Sequence, residues 1–370
     1  MDHIVIRVLI VDDSALIRRL IAAALAPVSD IEIIGQARDG IEAVDLVRAL
    51  DPDVVTLDIE MPRLDGLGAL EQIRATHPRL PVIMFSTLTE RGAAATLEAL
   101  SRGASDYVTK PSNTGSVAEG LASVRDQLVP RIRALVGMRL LTHDAAPRPR
   151  RSEPVGTPAV PPVRAARRTV ARPAGPPEVL VIGCSTGGPD ALARVVADLP
   201  ADLRVPVLVV QHMPPVFTAM LAQRLDRLSP LTVREAADGE IPARGEVLIA
   251  PGDQHLTLVS RAGTPTVRLT SGPQENFCRP AVDVLFRTVA DVYGGRVVAA
   301  VLTGMGQDGL EGARILAAQG AHVIAQDRES SVVWGMPGAV VMADLAHEVV
   351  PLRDLASRMV RACDYSPLGT

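Results

Sequence analysis

The sequence predicts an α/β protein built from two doubly wound, open parallel sheets. Short runs rich in Val, Ile and Leu alternate with amphipathic stretches through both halves of the 370-residue chain. Several of these runs are continuous rather than alternating, as is typical of parallel strands that helices cover on both faces. The length favours two domains over one, and a segment rich in Pro, Arg and Ala lies between the two halves.

Each half contributes its own set of candidate strands. In the N-terminal half they are RVLIVDD, IEIIGQA, DVVTLDI, PVIMFST and ASDYVTK. In the C-terminal half they include EVLVIGCS, VPVLVVQHM, GEVLIAPGD, VVAAVLTGM and AHVIAQD. In such sheets, functional groups gather at the carboxyl ends of the strands. The polar residues that end these runs are therefore the first candidates for a functional site.

The segment between the halves cannot supply a buried face. We place the domains at residues 5–128 and 178–366, with a flexible linker over 129–177 that contains APRPRRSEPVGTPAVPPVRAARRTVARPAGPP. Prolines and like charges favour an extended, hydrated coil. The arginines are interpreted as a solvated charge run, and binding of an acidic partner is the alternative.

Composition argues against several classes of function. The formal net charge is −4, so the chain has no overall basic field for binding nucleic acid. No uninterrupted apolar run is long enough for insertion across a membrane, and MDHIVIRVLIVDDS meets two aspartates too early to be a secretory leader. The three cysteines, Cys184, Cys278 and Cys363, lack metal-ligand spacing and suit a reducing, cytoplasmic location.

Three carboxylates end strands in the N-terminal half: Asp12 and Asp13 follow RVLIV, and Asp58 follows DVVTL. Brought together, they would repel one another unless a hard divalent cation neutralised them, and oxygen ligands favour Mg²⁺. Lys110 and Ser86 end two further strands. A carboxylate nucleophile, a metal, an ammonium and a hydroxyl suffice to form an aspartyl phosphate. The alternative is that Asp12 and Asp13 cap the following helix and Lys110 is a surface residue.

With VDDS, TLDIEMPRLDG, MFST and YVTKP, the stretch from about residue 7 to 128 resembles the receiver domain of two-component response regulators, which has a flavodoxin-like fold. The resemblance implies that Asp58 is phosphorylated and that Asp13 and Asp58 bind Mg²⁺ directly. It further implies that Asp12 acts through water and that the main-chain carbonyl of Glu60 is another ligand.

The same resemblance implies roles for three residues that respond to the phosphoryl group. Lys110 would pair with it, while Ser86 and Tyr107 would be the switch residues that move on phosphorylation. A histidine kinase is the implied phosphodonor.

In the C-terminal half, GCSTGG over 183–188 follows the run EVLVI and precedes the helical stretch PDALARVVADL. Its first five residues satisfy G-x-S-x-G, which places a serine on a tight turn between a strand and a helix. The helix N-terminus offers free amides and the positive end of the helix dipole. Similar turns also cradle phosphates, so phosphate binding is the alternative from this motif alone.

A nucleophilic serine needs a base, and the base needs an orienting carboxylate. His212 directly follows VPVLVVQ, whereas His255 follows a turn and His322 begins a strand at the wrong edge of the sheet. His212 is therefore the preferred base. Asp308 in TGMGQDG is the preferred carboxylate, and Asp327 after AHVIAQ is its rival. Alternatively, His212 is a hydrogen-bonded core residue and Asp308 forms a turn or caps a helix.

Through GCSTGGP, VVQHMPPVFT, IAPGDQHL, VLTGMGQDG and AQDRESSVVWGMP, residues from about 178 to 359 resemble the catalytic domain of chemotaxis protein-glutamate methylesterases, the CheB family. The implied fold is Rossmann-like. The resemblance implies that Ser185 is the nucleophile, His212 the general base and acid, and Asp308 the orienting carboxylate. It implies no cofactor in this domain.

The same resemblance concerns residues near Ser185, His212 and Asp308. It implies that the main-chain amide of Met305 stabilises the oxyanion and that Thr186 supports His212. Cys184 stands where a smaller residue such as alanine is expected, and Ala281 stands where serine is frequent.

Together the two resemblances predict phosphorylation-activated hydrolysis of glutamate γ-methyl esters on methyl-accepting chemotaxis receptors, with glutamine deamidation as a second activity. A chemotaxis histidine kinase would supply the phosphoryl group. The simplest mode of control is an unphosphorylated receiver that covers the Ser185 cleft. Three alternatives are kept: control of a non-flagellar chemosensory pathway, a receiver-controlled binding module without esterase activity, and a DNA-binding regulator. The DNA-binding alternative is disfavoured because no compact helix-turn-helix pattern follows the linker.

Overall fold

The computed structural model describes residues 5–111, 116–143 and 175–364. The first sheet has the strand order β2-β1-β3-β4-β5, and all of its neighbouring strands are parallel. This is the flavodoxin-like order that the sequence predicts for the N-terminal half. Its strands are β1 Ile6–Val11, β2 Ile31–Ala37, β3 Val54–Asp58, β4 Val82–Ser86 and β5 Asp106–Thr109.

Helices alternate with these strands: α1 Ala15–Leu25, α2 Gly40–Leu50, α3 Gly66–Thr76, α4 Glu90–Ser101 and α5 Val117–His143. The first four begin after a residue whose side-chain oxygen accepts a main-chain amide of the first turn. These capping residues are Ser14, Asp39, Asp65 and Thr89. Such caps satisfy amides that have no partner within the helix, so each helix begins at a defined residue.

Helix α5 extends beyond the predicted end of the first domain. Residues 129–143, which we assigned to a flexible linker, continue this helix. Ile132, Leu135 and Val136 are buried in the same apolar cluster as β1 and α1. Their spacing places them on one helical face, and this face outweighs the helix-breaking tendency of Pro130. The middle of the proposed linker, 144–174, lies outside the described residues, as does the end of the second domain at 365–366.

The second sheet has the order β14-β13-β12-β6-β7-β9-β8, again with parallel neighbours. Its strands are β6 Val179–Cys184, β7 Val207–Gln211, β8 Thr232–Glu235, β9 Glu246–Ile249, β12 Val297–Val301, β13 His322–Gln326 and β14 Glu348–Val350. An antiparallel hairpin, β10 His255–Arg261 and β11 Thr264–Thr270, forms a separate small sheet that the sequence pattern did not predict.

The helices of this half are α6 Gly188–Ala197, α7 Phe217–Asp226, α8 Val282–Tyr293, α9 Leu310–Ala318, α10 Met336–Met342 and α11 Leu355–Asp364, with a 3₁₀ turn at Leu352–Asp354 before α11. Strand β6 lies between β7 and β12, so the chain departs to opposite sides of it. A crevice opens at such a reversal, at the carboxyl ends of the strands. This position is where Ser185 follows β6.

The two domains pack against each other. The ring of Tyr107 on β5 stacks on Phe217 of α7, with ring centroids 5.0 Å apart and an interplanar angle of 8°. Arg224 of α7 donates to the carbonyl of Leu97 in α4, at 2.7 Å. Both contacts join the β5 side of the first sheet to the second domain. Among the described residues, no helix is long and apolar enough to cross a membrane.

Candidate functional site

The first sheet brings its strand-end carboxylates together. One oxygen of each of Asp12, Asp13 and Asp58 lies within 4.8 Å of the others. Lys110 Nζ lies 2.8 Å from Asp58 Oδ1 and 3.0 Å from Asp12 Oδ2. Burial raises the pKa of Asp58 to about 6 and the charge of Asp12 adds to the rise, while Lys110 opposes it. Two buried carboxylates and the exposed Asp13 repel one another and offer hard oxygen donors, which fits a divalent cation such as Mg²⁺.

Glu60 follows this cluster by two residues. Its side chain points away into an exposed ion pair, with its Oε1 3.3 Å from Nε of Arg91. A ligand from this residue is therefore left to the main-chain carbonyl, the atom that the sequence resemblance implies.

The two predicted switch residues lie on neighbouring strands. The hydroxyl of Ser86, at the end of β4, donates to the carbonyl of Gly92 at 3.2 Å. Tyr107 on β5 is buried in the contact with Phe217, and burial raises the pKa of its phenol. Tyr107 therefore joins β5 of the first sheet to α7 of the second domain.

The serine turn joins β6 to α6. The amide of Ser185 donates to the carbonyl of Thr303 at 3.0 Å, and the carbonyl of Ser185 accepts from the amide of Gly188 at 2.7 Å. Gly187 has φ +77°, which favours glycine. A Cβ at Gly188 would lie 2.0 Å from Oε1 of Gln211, so this position has no room for a side chain. The glycines of the motif therefore serve the turn itself.

His212 follows β7, and its Nε2 lies 2.7 Å from Asp308 Oδ2. The structure thus brings together the preferred base and the preferred carboxylate of the sequence analysis. Among the described residues, the Ser185 hydroxyl makes no hydrogen bond with His212. Such contacts are frequently long in the absence of substrate. Asp308 engages Nε2, so Nδ1 is the ring nitrogen that remains to exchange protons or to bind a neighbouring side chain.

Asp308 also caps helix α8 from outside the helix. Its carboxylate accepts the main-chain amides of Val282 at 2.6 Å, Asp283 at 2.9 Å and Gly309 at 3.0 Å. Val282 and Asp283 are the first residues of α8, where amides lack helical partners and the dipole favours an anion. Burial alone would raise the pKa of Asp308, but the bonds to His212 and to these amides hold it below its usual value.

The pKa of His212 shifts in the direction opposite to that of Asp308. Burial alone would lower its pKa, but hydrogen bonds with Asp308 and with Cys278 outweigh burial and raise the pKa to about 10. In this arrangement the imidazole therefore holds a proton at neutral pH.

The rival residues of the sequence analysis have other partners. His255 accepts the amide of Ala281 at Nδ1 and donates from Nε2 to the carbonyl of Pro273 at 2.9 Å, so both ring nitrogens are already engaged in hydrogen bonds. His322 pairs with Glu348 at the opposite edge of the sheet. The Asp327 carboxylate accepts from the amide and hydroxyl of the neighbouring Ser330.

Thr186 and Met305 flank the serine. The Thr186 hydroxyl donates to Asp106 of the first domain, at 2.7 Å, rather than to His212. Met305 follows Gly304, where a Cβ would lie 3.0 Å from Ser185 Cβ. The loop that carries Met305 therefore runs directly beside the serine.

The two departures from the family pattern do not touch the His212–Asp308 pair through their side chains. Cys184 is fully buried in the core, with Sγ 3.7 Å from the carbonyl of Val210. Ala281 stands at the N-cap of α8 and provides no side-chain cap, a task that Asp308 performs instead.

Sequence reasoning missed the groups that surround Asp308. Asn276 donates to Asp308 Oδ1 at 2.9 Å and to Asp283 Oδ2 at 3.0 Å, and Cys278 contacts His212. These residues lie in a loop, not at a strand end, so the strand-end rule passes over them. Their motif, ENFC before RPAVD, carries a turn-forming asparagine as its only signal.

Comparison with known proteins agrees with this architecture. Residues 180–359 match the CheB methylesterase family, and residues 8–121 match the response regulator receiver domain family. A protein-glutamate methylesterase/protein-glutamine glutaminase of a Nocardioides species is 51% identical over 96% of this chain and 95% of its own length. A protein of the same name from Trichodesmium erythraeum is 44% identical over 96% of this chain and 98% of its own length.

Solved structures match each half separately. The catalytic domain of the Thermotoga maritima CheB methylesterase is 43% identical over 50% of this chain and 98% of that domain, with a TM-score of 0.49. The response regulator domain of Thermotoga maritima CheB is 45% identical over 36% of this chain and 97% of that domain, with a TM-score of 0.33.

A flavodoxin-like receiver with an acidic strand-end cluster, followed by an α/β domain with a Ser-His-Asp set at its switch point, defines a response regulator with a hydrolase output domain. The chain belongs to the CheB family of protein-glutamate methylesterases. Relatives that carry this name are 42–51% identical to the chain over most of their length.

Proposed function

We propose that this chain hydrolyses γ-methyl esters of glutamate on methyl-accepting chemotaxis receptors and deamidates receptor glutamines by the same route. The observation that carries the proposal is the His212–Asp308 pair at 2.7 Å, beside a serine on a glycine-supported turn. The activity for which its relatives are named supports the same chemistry. An ester and a carboxamide present the same carbonyl to the nucleophile, so one site serves both.

In the proposed mechanism, Ser185 attacks the γ-carbonyl while His212 takes its proton at Nδ1. Asp308 holds the ring by Nε2 and stabilises the imidazolium. The amide of Met305, on the loop beside Ser185, stabilises the oxyanion. Methanol or ammonia leaves with the proton that His212 returns, and water then hydrolyses the acyl-enzyme with His212 again as base.

For the first domain, we propose that Asp58 is the phosphoacceptor and that a chemotaxis histidine kinase is the phosphodonor. Asp13, Asp58 and the carbonyl of Glu60 would hold Mg²⁺ directly, with Asp12 acting through water; the bound cation would neutralise charge on the phosphoryl group. Lys110, already 2.8 Å from Asp58, would pair with a phosphoryl oxygen.

Control is proposed to act through the contact between the domains. A cleft of about 410 Å³ is lined jointly by Thr109, Gln127 and Arg131 of the receiver and by His212 and Cys278 of the catalytic domain. With the receiver on one wall of this cleft, we propose that a receptor helix, about 10 Å across, is kept away from His212. We propose that phosphorylation moves Ser86 and Tyr107, weakens the contact and shifts the population towards an open enzyme.

The contact also engages a neighbour of the nucleophile. Asp106 Oδ2 accepts the hydroxyl of Thr186 at 2.7 Å and lies 3.0 Å from Nε of Arg131. Both carboxylate and hydroxyl are buried, so the bond is shielded from water. The proposed closed state therefore holds the residue next to Ser185 as well as blocking access.

The test of the proposed function is methanol release from methylated receptor preparations, with and without a small-molecule phosphodonor. We expect turnover that Ser185→Ala abolishes and that the phosphodonor raises. Receptor binding without Ser185-dependent methanol release would instead identify a binding module.

Phosphorylation can be tested separately from esterase chemistry. Asp58→Asn should abolish Mg²⁺-dependent labelling by a small phosphodonor, because the amide is not a nucleophile. The variant should keep its basal methanol release, since Asp58 lies in the other domain. Stable labelling of the variant at the wild-type level would move the phosphoacceptor to another residue.

The pH dependence follows from His212. Its pKa is raised to about 10 and only the neutral imidazole accepts a proton, so kcat/KM of the unphosphorylated chain should rise from about pH 7 to about pH 9. Methanol release across this range is the measurement. Cys278→Ala removes one bond that raises the pKa, so its profile should lie at lower pH. A rate independent of pH over this range would contradict the role of His212.

A further inference from the structure

A second carboxylate lies directly beside the one that orients His212. Asp283 is 3% exposed, and its own amide donates to Asp308 Oδ1 at 2.9 Å. Asp283 Oδ1 accepts the amide of Gly312 at 2.7 Å. The two side chains are within hydrogen-bonding reach of each other, and buried carboxylates so close together repel each other and tend to share a proton. Protonation of Asp308 would weaken its hydrogen bond to His212 and remove the negative charge that stabilises the imidazolium.

One amide group separates the two carboxylates. Asn276 Nδ2 donates to Asp308 Oδ1 at 2.9 Å and to Asp283 Oδ2 at 3.0 Å. A primary amide has two N–H groups, so each carboxylate receives one. With Oδ1 engaged in this way, Asp308 is left with Oδ2 for His212 Nε2.

The backbone at Asn276 limits which residue can stand there. Glu275 and Cys278 close a two-residue turn, with amide-to-carbonyl bonds of 3.1 and 2.9 Å. Both central residues are left-handed, Asn276 with φ +52° and Phe277 with φ +61°. Asn, Asp and Gly are the residues that accept the first central position of such a turn. Of these three residues, only Asn has N–H donors on its side chain.

From these contacts we propose that Asn276 is a positioning residue for the reaction: its amide bridges Asp308 and Asp283, which keeps Asp308 ionised and aimed at His212. The inference rests on the proposed esterase function and specifies how its orienting carboxylate is controlled. The charged and titratable groups that face the pair are His212, Glu275 and Arg287, the last two joined at 2.6 Å between Nη2 and Oε2.

The pKa directions agree with this geometry. Burial raises the pKa of Asp283 to about 6, and the charge of Asp308 adds to the rise. The pKa of Asp308 is held low. The carboxylate that takes up a proton first is therefore Asp283, which does not contact His212.

The test compares Asn276→Gly with wild type in the full-length chain. Glycine retains the left-handed turn but removes the bridge, so kcat for methanol release should fall by about 10- to 100-fold, the scale of one lost hydrogen bond to a charged group. KM should be little changed. The acid limb of the kcat profile, which His212 sets, should also become steeper, because a proton shared by the two carboxylates must then be lost as well.

Two further variants separate positioning from turn structure. Phe277→Gly relaxes the same turn without touching the bridge, so its kcat should stay within about two-fold of wild type. In the Asp283→Asn background there is no second carboxylate, so Asn276→Gly should no longer steepen the acid limb. If Asn276→Gly does not fold, as thermal unfolding would reveal, Asn276→Asp carries the test, since it retains the turn and its ionised side chain has no hydrogen to donate.

Two failures are distinguishable. Absence of methanol release from the wild-type chain would refute the proposed function itself. An active wild type whose kcat and pH profile are matched by Asn276→Gly would overturn the positioning role alone.

Discussion

Replacing Ser185 by Ala, or Asp308 by Asn, should lower kcat for methanol release by about 10⁴-fold or more, the scale at which residues of such a set act. In the proposed mechanism Ser185 forms the covalent bond to the acyl group. Without Ser185, only the groups that surround it, such as His212 and the amide of Met305, are left to assist hydrolysis. Asn at position 308 can present an N–H to His212, which favours the wrong tautomer and withdraws the charge that stabilises the imidazolium. Steady-state methanol release with each purified variant is the measurement.

The losses should not add. In the proposed mechanism Ser185, His212 and Asp308 act as one unit, so the double variant Ser185→Ala/His212→Ala should be about as inactive as either single variant. Asp327→Asn is the matched control, because Asp327 directly follows β13 but bonds to Ser330. Near-normal turnover of Asp308→Asn together with loss in Asp327→Asn would reverse the assignment of the carboxylate.

The second large effect concerns release of the catalytic domain. Asp106→Ala removes the acceptor for Thr186 and the partner of Arg131, so it should raise methanol release without phosphodonor. Coupling between sites of one protein commonly amounts to about 5- to 150-fold, and we expect a rise in this range. Asp45→Ala, the same change at an exposed position of α2, should leave the basal rate unaltered.

A truncated chain that begins at Glu178 offers an independent route to the same state. Its activity should exceed that of the unphosphorylated full-length chain and should no longer respond to phosphodonor. If the receiver instead recruits receptor, its removal would lower activity at limiting receptor. Turnover measured across receptor concentrations separates the two modes. A truncated enzyme slower than its parent at every concentration would refute closure by the receiver.

Much of the site was predictable because parallel strands end at one edge of a sheet. Asp12 and Asp58 could be placed together from β1 and β3, and Ser185 and His212 from β6 and β7, since each residue directly follows an apolar run. The turn chemistry of GCSTGG was equally local, because Gly187 and Gly188 serve steric needs of a few neighbouring residues. Apolar runs and turn-forming residues within single segments were therefore sufficient to predict where these residues lie.

Tertiary structure decided what depends on residues distant in the chain. Asp308 and Asp327 both follow β strands, and only the folded chain places one of them on His212 and at the amides of α8. The helical extent of α5 depended on a buried face supplied by the first sheet. The bridge from Asn276, like the bond from Thr186 to Asp106 across 80 residues, joins loops whose approach no local pattern encodes. Strand ends are set by local sequence, whereas partners of loop residues are set by the packing of whole elements.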